Sequence, residues 1–123
     1  KARIVGVVSR HATTYADSLA AGRVVEAPVS TQIADGMAVR RADAAALAAM
    51  TGRLDHVVQV SDDEVAGAMR ALYADTHNAA EGAGAAALAA ALQGRSNLRG
   101  QCVGIALTGA NVDASVFAEV LGR

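Results

Sequence analysis

Two short β-branched runs, Arg3–Val8 (RIVGVV) and His56–Val60 (HVVQV), are separated by a long stretch that carries helical signals. Strands that alternate with helical segments in this way are expected to pair in parallel, since parallel neighbours need a long crossover connection. The intervening and following segments support this. A helix is expected from Ala12 to Ala21, with Gly22 supplying a left-handed cap, and a second from Asp43, its N-cap, through Met50 to a stop at Gly52. Val24 and Val25 precede Pro28 and read as a loop or short edge piece. Ser61-Asp62-Asp63-Glu64 is a capping box, and behind it Val65, Ala68, Met69, Leu72 and Tyr73 recur with the spacing of one buried helical face. That helix breaks near His77-Asn78. A third strand is expected in Cys102–Asp113 (CVGIALTGANVD), followed by a helix capped by Asn111 or Asp113, with Val116, Phe117, Val120 and Leu121 inward. The order β-α-α-β-α-α-β-α predicts an α/β domain, a parallel sheet flanked by helices.

The stretch EGAGAAALAAAL (81–92) contains Gly82, Gly84 and Ala87 in a G-x-G-x-x-A pattern. As a dinucleotide fingerprint it needs a strand ending at the first glycine, so that phosphates meet a helix N-terminus. The residues before it read as helix, so the pattern is better explained as small side chains that let a helix lie close to a neighbour. The cost in helix propensity is about 1 kcal/mol per glycine relative to alanine.

Composition narrows the function classes. A chain of 123 residues suits one domain. A net charge of −1 argues against electrostatic binding to nucleic acid or to a membrane surface. Tyr15, Tyr73 and Phe117 are the only aromatic residues, too few for a base-stacking platform. Cys102 sits in an apolar run, so a buried, reduced thiol is expected, and one cysteine cannot form a disulfide within the chain. No apolar stretch approaches a membrane span and the start lacks the pattern of a signal peptide, so a cytoplasmic setting is the default. His11, His56 and His77 have no partners at metal-ligand spacing, and His77 reads as an end cap. The chain begins Lys-Ala-Arg-Ile-Val and enters a strand at once, as if in the middle of an α/β domain; part of a longer polypeptide is expected. Lys1 is the only lysine.

Three ordered segments carry a family resemblance: TQIADGMAVRR (31–41), VSDDEVAGAM (60–69) with EGAGAAALAA (81–90), and IALTGANVDASVFAEVL (105–121). Together they resemble the C-terminal half of the catalytic domain of threonine dehydratase-like enzymes. These are the serine/threonine ammonia-lyases and serine racemases of the tryptophan synthase β-like fold (fold type II), which use pyridoxal 5'-phosphate. The resemblance spans nearly all of residues 1–123. It implies that Thr108, followed by Gly109, faces the pyridine nitrogen of the cofactor. A neutral hydroxyl there leaves that nitrogen largely unprotonated, a weaker electron sink than a carboxylate would create, which suits β-elimination over transamination. It implies that Glu81, followed by Gly82 where proline is common, lies beside the pocket, and that the Asp35-Gly36 loop passes close to the ring, with Gly36 allowing close backbone approach. Taken without the resemblance, Thr108 ends a strand with a locally bonded hydroxyl, Glu81 is a solvated residue at the positive end of a helix, and Asp35-Gly36 is a plain turn.

The resemblance also marks what is missing. Some relatives bind a divalent cation through acidic residues where this chain has Val8 and Thr14, so no metal is expected there. The lysine that anchors the cofactor and the glycine-rich phosphate loop belong to the family's N-terminal half. Lys1, at the start of a strand, is at the wrong end to replace that lysine, since ligands gather at the carboxyl ends of such sheets. No catalytic residue is therefore expected in these 123 residues. The implied function is a portion of a threonine/serine dehydratase, acting on L-threonine or L-serine, with the N-terminal half as its complement and a homodimer when complete. A serine racemase or hydroxyaspartate dehydratase on the same scaffold, or a non-enzymatic α/β binding module, stands as the alternative.

Overall fold

The computed structural model describes residues 2–122. The elements are β1 (Val5–Ser9), α1 (Thr14–Ala21), α2 (Ala44–Met50), β2 (His56–Val60), α3 (Asp62–Thr76), α4 (Gly82–Gln93) and α5 (Ala114–Leu121), with a 3-10 turn at Asp35–Met37. β1 and β2 pair in parallel, from Val5 opposite His56 to Ser9 opposite Val60, joined by the long helical crossover that such pairing needs. The Val24–Pro28 region forms no strand; a single antiparallel bridge joins Glu26 to Arg41.

Local chemistry explains the helix ends. Ser61 Oγ accepts the Glu64 amide at 3.2 Å, and Glu64 Oε2 accepts the Ser61 amide at 2.7 Å, so two orphan donors at the start of α3 are satisfied reciprocally. Asp43 Oδ1 accepts the Ala46 amide at 2.8 Å and starts α2. Gly22 closes α1 at φ 66°, and His77 closes α3 in the same left-handed region at φ 57°, its amide donating to the Tyr73 carbonyl at 2.9 Å.

The core lies between α3 and α4 rather than across the sheet. It comprises Val60, Val65, Ala66, Ala68, Met69, Leu72, Ala80, Ala85, Ala86 and Ala89, closed by Val120 of α5. Burying Met69, Val60 and Val65, its largest fully buried apolar side chains, contributes about 1.5–3 kcal/mol each. The rest is mostly alanine, so close approach replaces bulk. In the strands only Ser9 and Val60, at their carboxyl ends, are buried. No buried side-chain nitrogen or oxygen among the described residues lacks a partner.

Three expectations are corrected. Residues 102–113 form no strand: a strand exists through its ladder, and no ladder of backbone hydrogen bonds joins this segment to a neighbour among the described residues. Val103, Ile105 and Leu107 are accordingly 41–46% exposed. Cys102 is exposed rather than buried, because the same segment has no layer over it. Tyr73 and Leu121 do not face inward. Tyr73 is exposed and meets Phe117 edge-on at 5.4 Å, and only Val120 of the expected α5 residues is buried. Among the described residues no helix is long and apolar enough to cross a membrane.

Candidate functional site

Helix α4 organises the site through its glycines. A Cβ on Gly82 would overlap the Ile33 carbonyl, and one on Gly84 would overlap the Thr108 carbonyl and come within 2.7 Å of the Gly109 carbonyl. Two loops that are distant in sequence therefore rest directly on the first turn of one helix. The Gly-Ala stretch is a contact surface for backbone, and Gly82, Gly84, Ala85, Ala86 and Ala89 are its buried residues.

The two loops meet at Glu81, the N-cap residue of α4. The Glu81 amide donates to the Gly109 carbonyl at 3.2 Å. Gly109 has φ 79°, and a Cβ there would also overlap the Glu81 carboxylate, so both backbone and space demand glycine. A Cβ on Gly36 would lie 2.8 Å from the Ala83 Cβ and 3.8 Å from Glu81 Oε1. Between these residues is a cleft of about 260 Å³, lined in part by Asp35, Gly36, Glu81, Ala83, Asn111 and Val112. The Glu81 side chain does not cap its own helix. It lies over Gly109 at the edge of the cleft.

Of the residues singled out in the sequence, Gly36, Glu81 and Gly109 come together here. Thr108 is exposed and adjoins the cleft through Gly109 without lining it; its main chain is what packs on α4. Asn111 lines the cleft, while Asp113 takes the N-cap position of α5, without a side-chain bond. The pocket role of Asn111 was not recognised from sequence. The available signal was its place three residues beyond Thr108, on a turn that also holds Gly109. Thr14, at one of the positions where some relatives carry an acidic metal ligand, is buried and its hydroxyl donates to the Val39 carbonyl. Among the described residues no group of three His, Cys, Asp or Glu side chains is gathered as for a metal ion. Lys1 lies outside the described residues.

A flat heteroaromatic ring suits this cleft. Gly36 lines it with bare backbone, Gly109 adjoins it behind the Glu81 carboxylate, and Asp35, Glu81 and Asn111 bring polar groups to its lining. The cleft's volume lies somewhat below the range of about 300–1,000 Å³ usual for small-molecule sites.

The parallel α/β arrangement is that of pyridoxal-phosphate enzymes of fold type II. The processed form of threonine deaminase isoform 2 from Solanum lycopersicum superposes with a TM-score of 0.87 at 28% identity, over 98% of this chain and 36% of that one. Maize serine racemase gives 0.83 at 28% identity, over 98% and 38%. The model of the family "Pyridoxal-phosphate dependent enzyme" matches residues 1–109, and the chain belongs to that family. Among curated relatives it is similar to the L-threonine ammonia-lyase of Geobacter sulfurreducens, 37% identical over 98% of this chain and 30% of that protein. The chain spans about a third of the length of the curated relatives it matches.

Proposed function

We propose that this chain forms one wall of the active site of a pyridoxal-phosphate-dependent threonine/serine dehydratase. The observation that carries the reading is that Gly36 and Glu81 line one cleft and Gly109 packs against Glu81 at its edge, in a member of this family whose relatives include an L-threonine ammonia-lyase. Gly36 would receive the ring against bare backbone, Glu81 would border it with Gly109 behind, and the Thr108 hydroxyl would meet the pyridine nitrogen. When bound, the cofactor supplies an electron sink for loss of the Cα proton and then of the β-hydroxyl.

The residues of this chain tune and shape that chemistry. Being neutral, the Thr108 hydroxyl leaves the pyridine nitrogen without a proton, which favours elimination over transamination. Its position is supported by the seat of the Thr108 carbonyl on Gly84, which ties the residue to a helix. Overall, L-threonine yields 2-oxobutanoate and ammonia; the water lost on elimination is regained on hydrolysis of the nitrogen-bearing product. The anchoring amine and the phosphate loop would come from the N-terminal half. The homodimer rests on the family resemblance, and the cytoplasmic setting on the sequence pattern alone. A serine racemase reading is favoured by one observation, the likeness to the maize enzyme.

The test uses the full-length protein that contains this segment, loaded with pyridoxal phosphate. Keto acid is expected from L-threonine or L-serine, whereas racemised serine without keto acid supports the second reading. Thr108→Asp is expected to lower the elimination rate by about tenfold or more, in line with loss of a tuned polar contact in a transition state. Unchanged turnover would refute the role given to Thr108.

A further inference from the structure

The first turn of α3 reaches across to the loop that forms the cleft. Asp62 uses both carboxylate oxygens on it: Oδ1 accepts the Thr31 hydroxyl at 2.7 Å and Oδ2 accepts the Gln32 main-chain N–H at 2.7 Å. Thr31 Oγ1 in turn accepts the amide of Ala34 at 3.2 Å. Ala34 is fully buried, and its carbonyl accepts the Met37 amide at 2.9 Å, closing the turn that carries Asp35 and Gly36. Ile33, between these anchors, is the residue whose carbonyl lies against Gly82. A continuous set of hydrogen bonds thus runs from Asp62 to the wall of the cleft.

We infer that Asp62 is a positioning residue for the cofactor pocket, clamping residues 31–34 so that Gly36 stands beside Glu81. The inference rests on the proposed reading of the cleft as a pyridoxal-phosphate site. Asp62 touches nothing in the cleft itself and acts through Thr31 and the Ala34 amide. An acidic side chain in a first helical turn also favours the helix through its dipole, and the two roles separate by experiment. Removing the Thr31 hydroxyl breaks the clamp while leaving the charge at the start of α3 in place.

The full-length protein is stripped of cofactor and titrated with pyridoxal phosphate, following the absorbance of the bound form, and amide hydrogen exchange is measured over residues 31–37. Asp62→Ala is expected to raise the Kd about tenfold, the scale of one charge-assisted hydrogen bond, and to speed exchange at Gln32 and Ala34. Thr31→Val is expected to act in the same direction, Thr31→Ser to restore binding, and the double variant Asp62→Ala/Thr31→Val to be no weaker than Asp62→Ala alone. Wild-type affinity in Asp62→Ala overturns the inference, as does a neutral Thr31→Val beside a weakened Asp62→Ala, which marks a helix-charge effect. A wild-type protein that does not bind pyridoxal phosphate sinks the functional reading instead, and the pocket role of Asp62 with it. In that case faster exchange at Gln32 and Ala34 in Asp62→Ala still supports the clamp, and unchanged exchange refutes it. If Asp62→Ala does not fold, Thr31→Val and Thr31→Ser decide by the same criteria.

Discussion

Glycine in a helix is ordinarily a small loss, about 1 kcal/mol against alanine. Gly84 reverses that balance because the Thr108 carbonyl occupies the space a methyl group would need. Gly84→Ala is expected to destabilise the protein by about 1–3 kcal/mol despite its better helix propensity, since the backbone must move to admit the new atom. Gly67 is the contrast. Among the described residues, and apart from its own helix backbone, a Cβ there would have within 4 Å just the flexible end of Arg70, at 3.7 Å. Gly67→Ala should therefore stabilise α3 by about 0.5–1 kcal/mol. Chemical denaturation of the two variants checks both signs, and a stabilised Gly84→Ala would contradict the packing described. The same scale shows what residue reading misses. Asp62 is visible in the sequence as a first-turn acid, but its partners Thr31 and Gln32 lie some thirty positions away, and no local pattern announces the pairing.

At the scale of elements, α3 is the best specified. Its capping box and its β-branched predecessor are local signals, and both β2 and the start of α3 fall where those signals put them. Glu64 carries a pH dependence. The Ser61 amide, the Gln93 side chain and the Arg10 guanidinium hold its carboxyl below the ordinary value of 4.5. A carboxylate with a lowered folded-state pKa adds stability above its unfolded pKa, and that stability is lost as pH falls through the folded value. Acid titration of unfolding should therefore show a steeper loss below about pH 4.5 in the wild type than in Glu64→Ala. Parallel acid limbs would show the box contributes nothing through charge. The 102–113 segment failed as a strand for the converse reason. Its alternating apolar residues are a local signal, but pairing is not a local property, and no ladder partner is present among the described residues.

At the scale of the whole molecule, the apolar surface is unevenly covered. Helices α3 and α4 enclose the core, while Val103, Ile105 and Leu107 stand open on the other part of the chain, next to Cys102. In the isolated 123-residue chain, Cys102 should react with a thiol reagent at nearly the rate of the unfolded peptide. Strong protection would show that this surface is covered. The parallel topology was readable from the spacing of two β-branched runs. The grouping of Gly36, Glu81 and Gly109 was expected through the resemblance alone, because three residues spread over more than half the chain have no shared period. Asn111 reads in the sequence only as a helix cap, and its place in the cleft lining emerges with the tertiary fold, although its position on the Thr108–Gly109 turn is a usable signal.

The seating of both loops on the first turn of α4 has a consequence for anyone redesigning substrate preference. The Ile33 loop and the Thr108 loop share a single rigid rail, so a substitution that lifts one tilts the rail under the other. Libraries that randomise either loop alone would sample mostly broken sites; productive variants should come from changing both together while the two glycines of the rail are left intact.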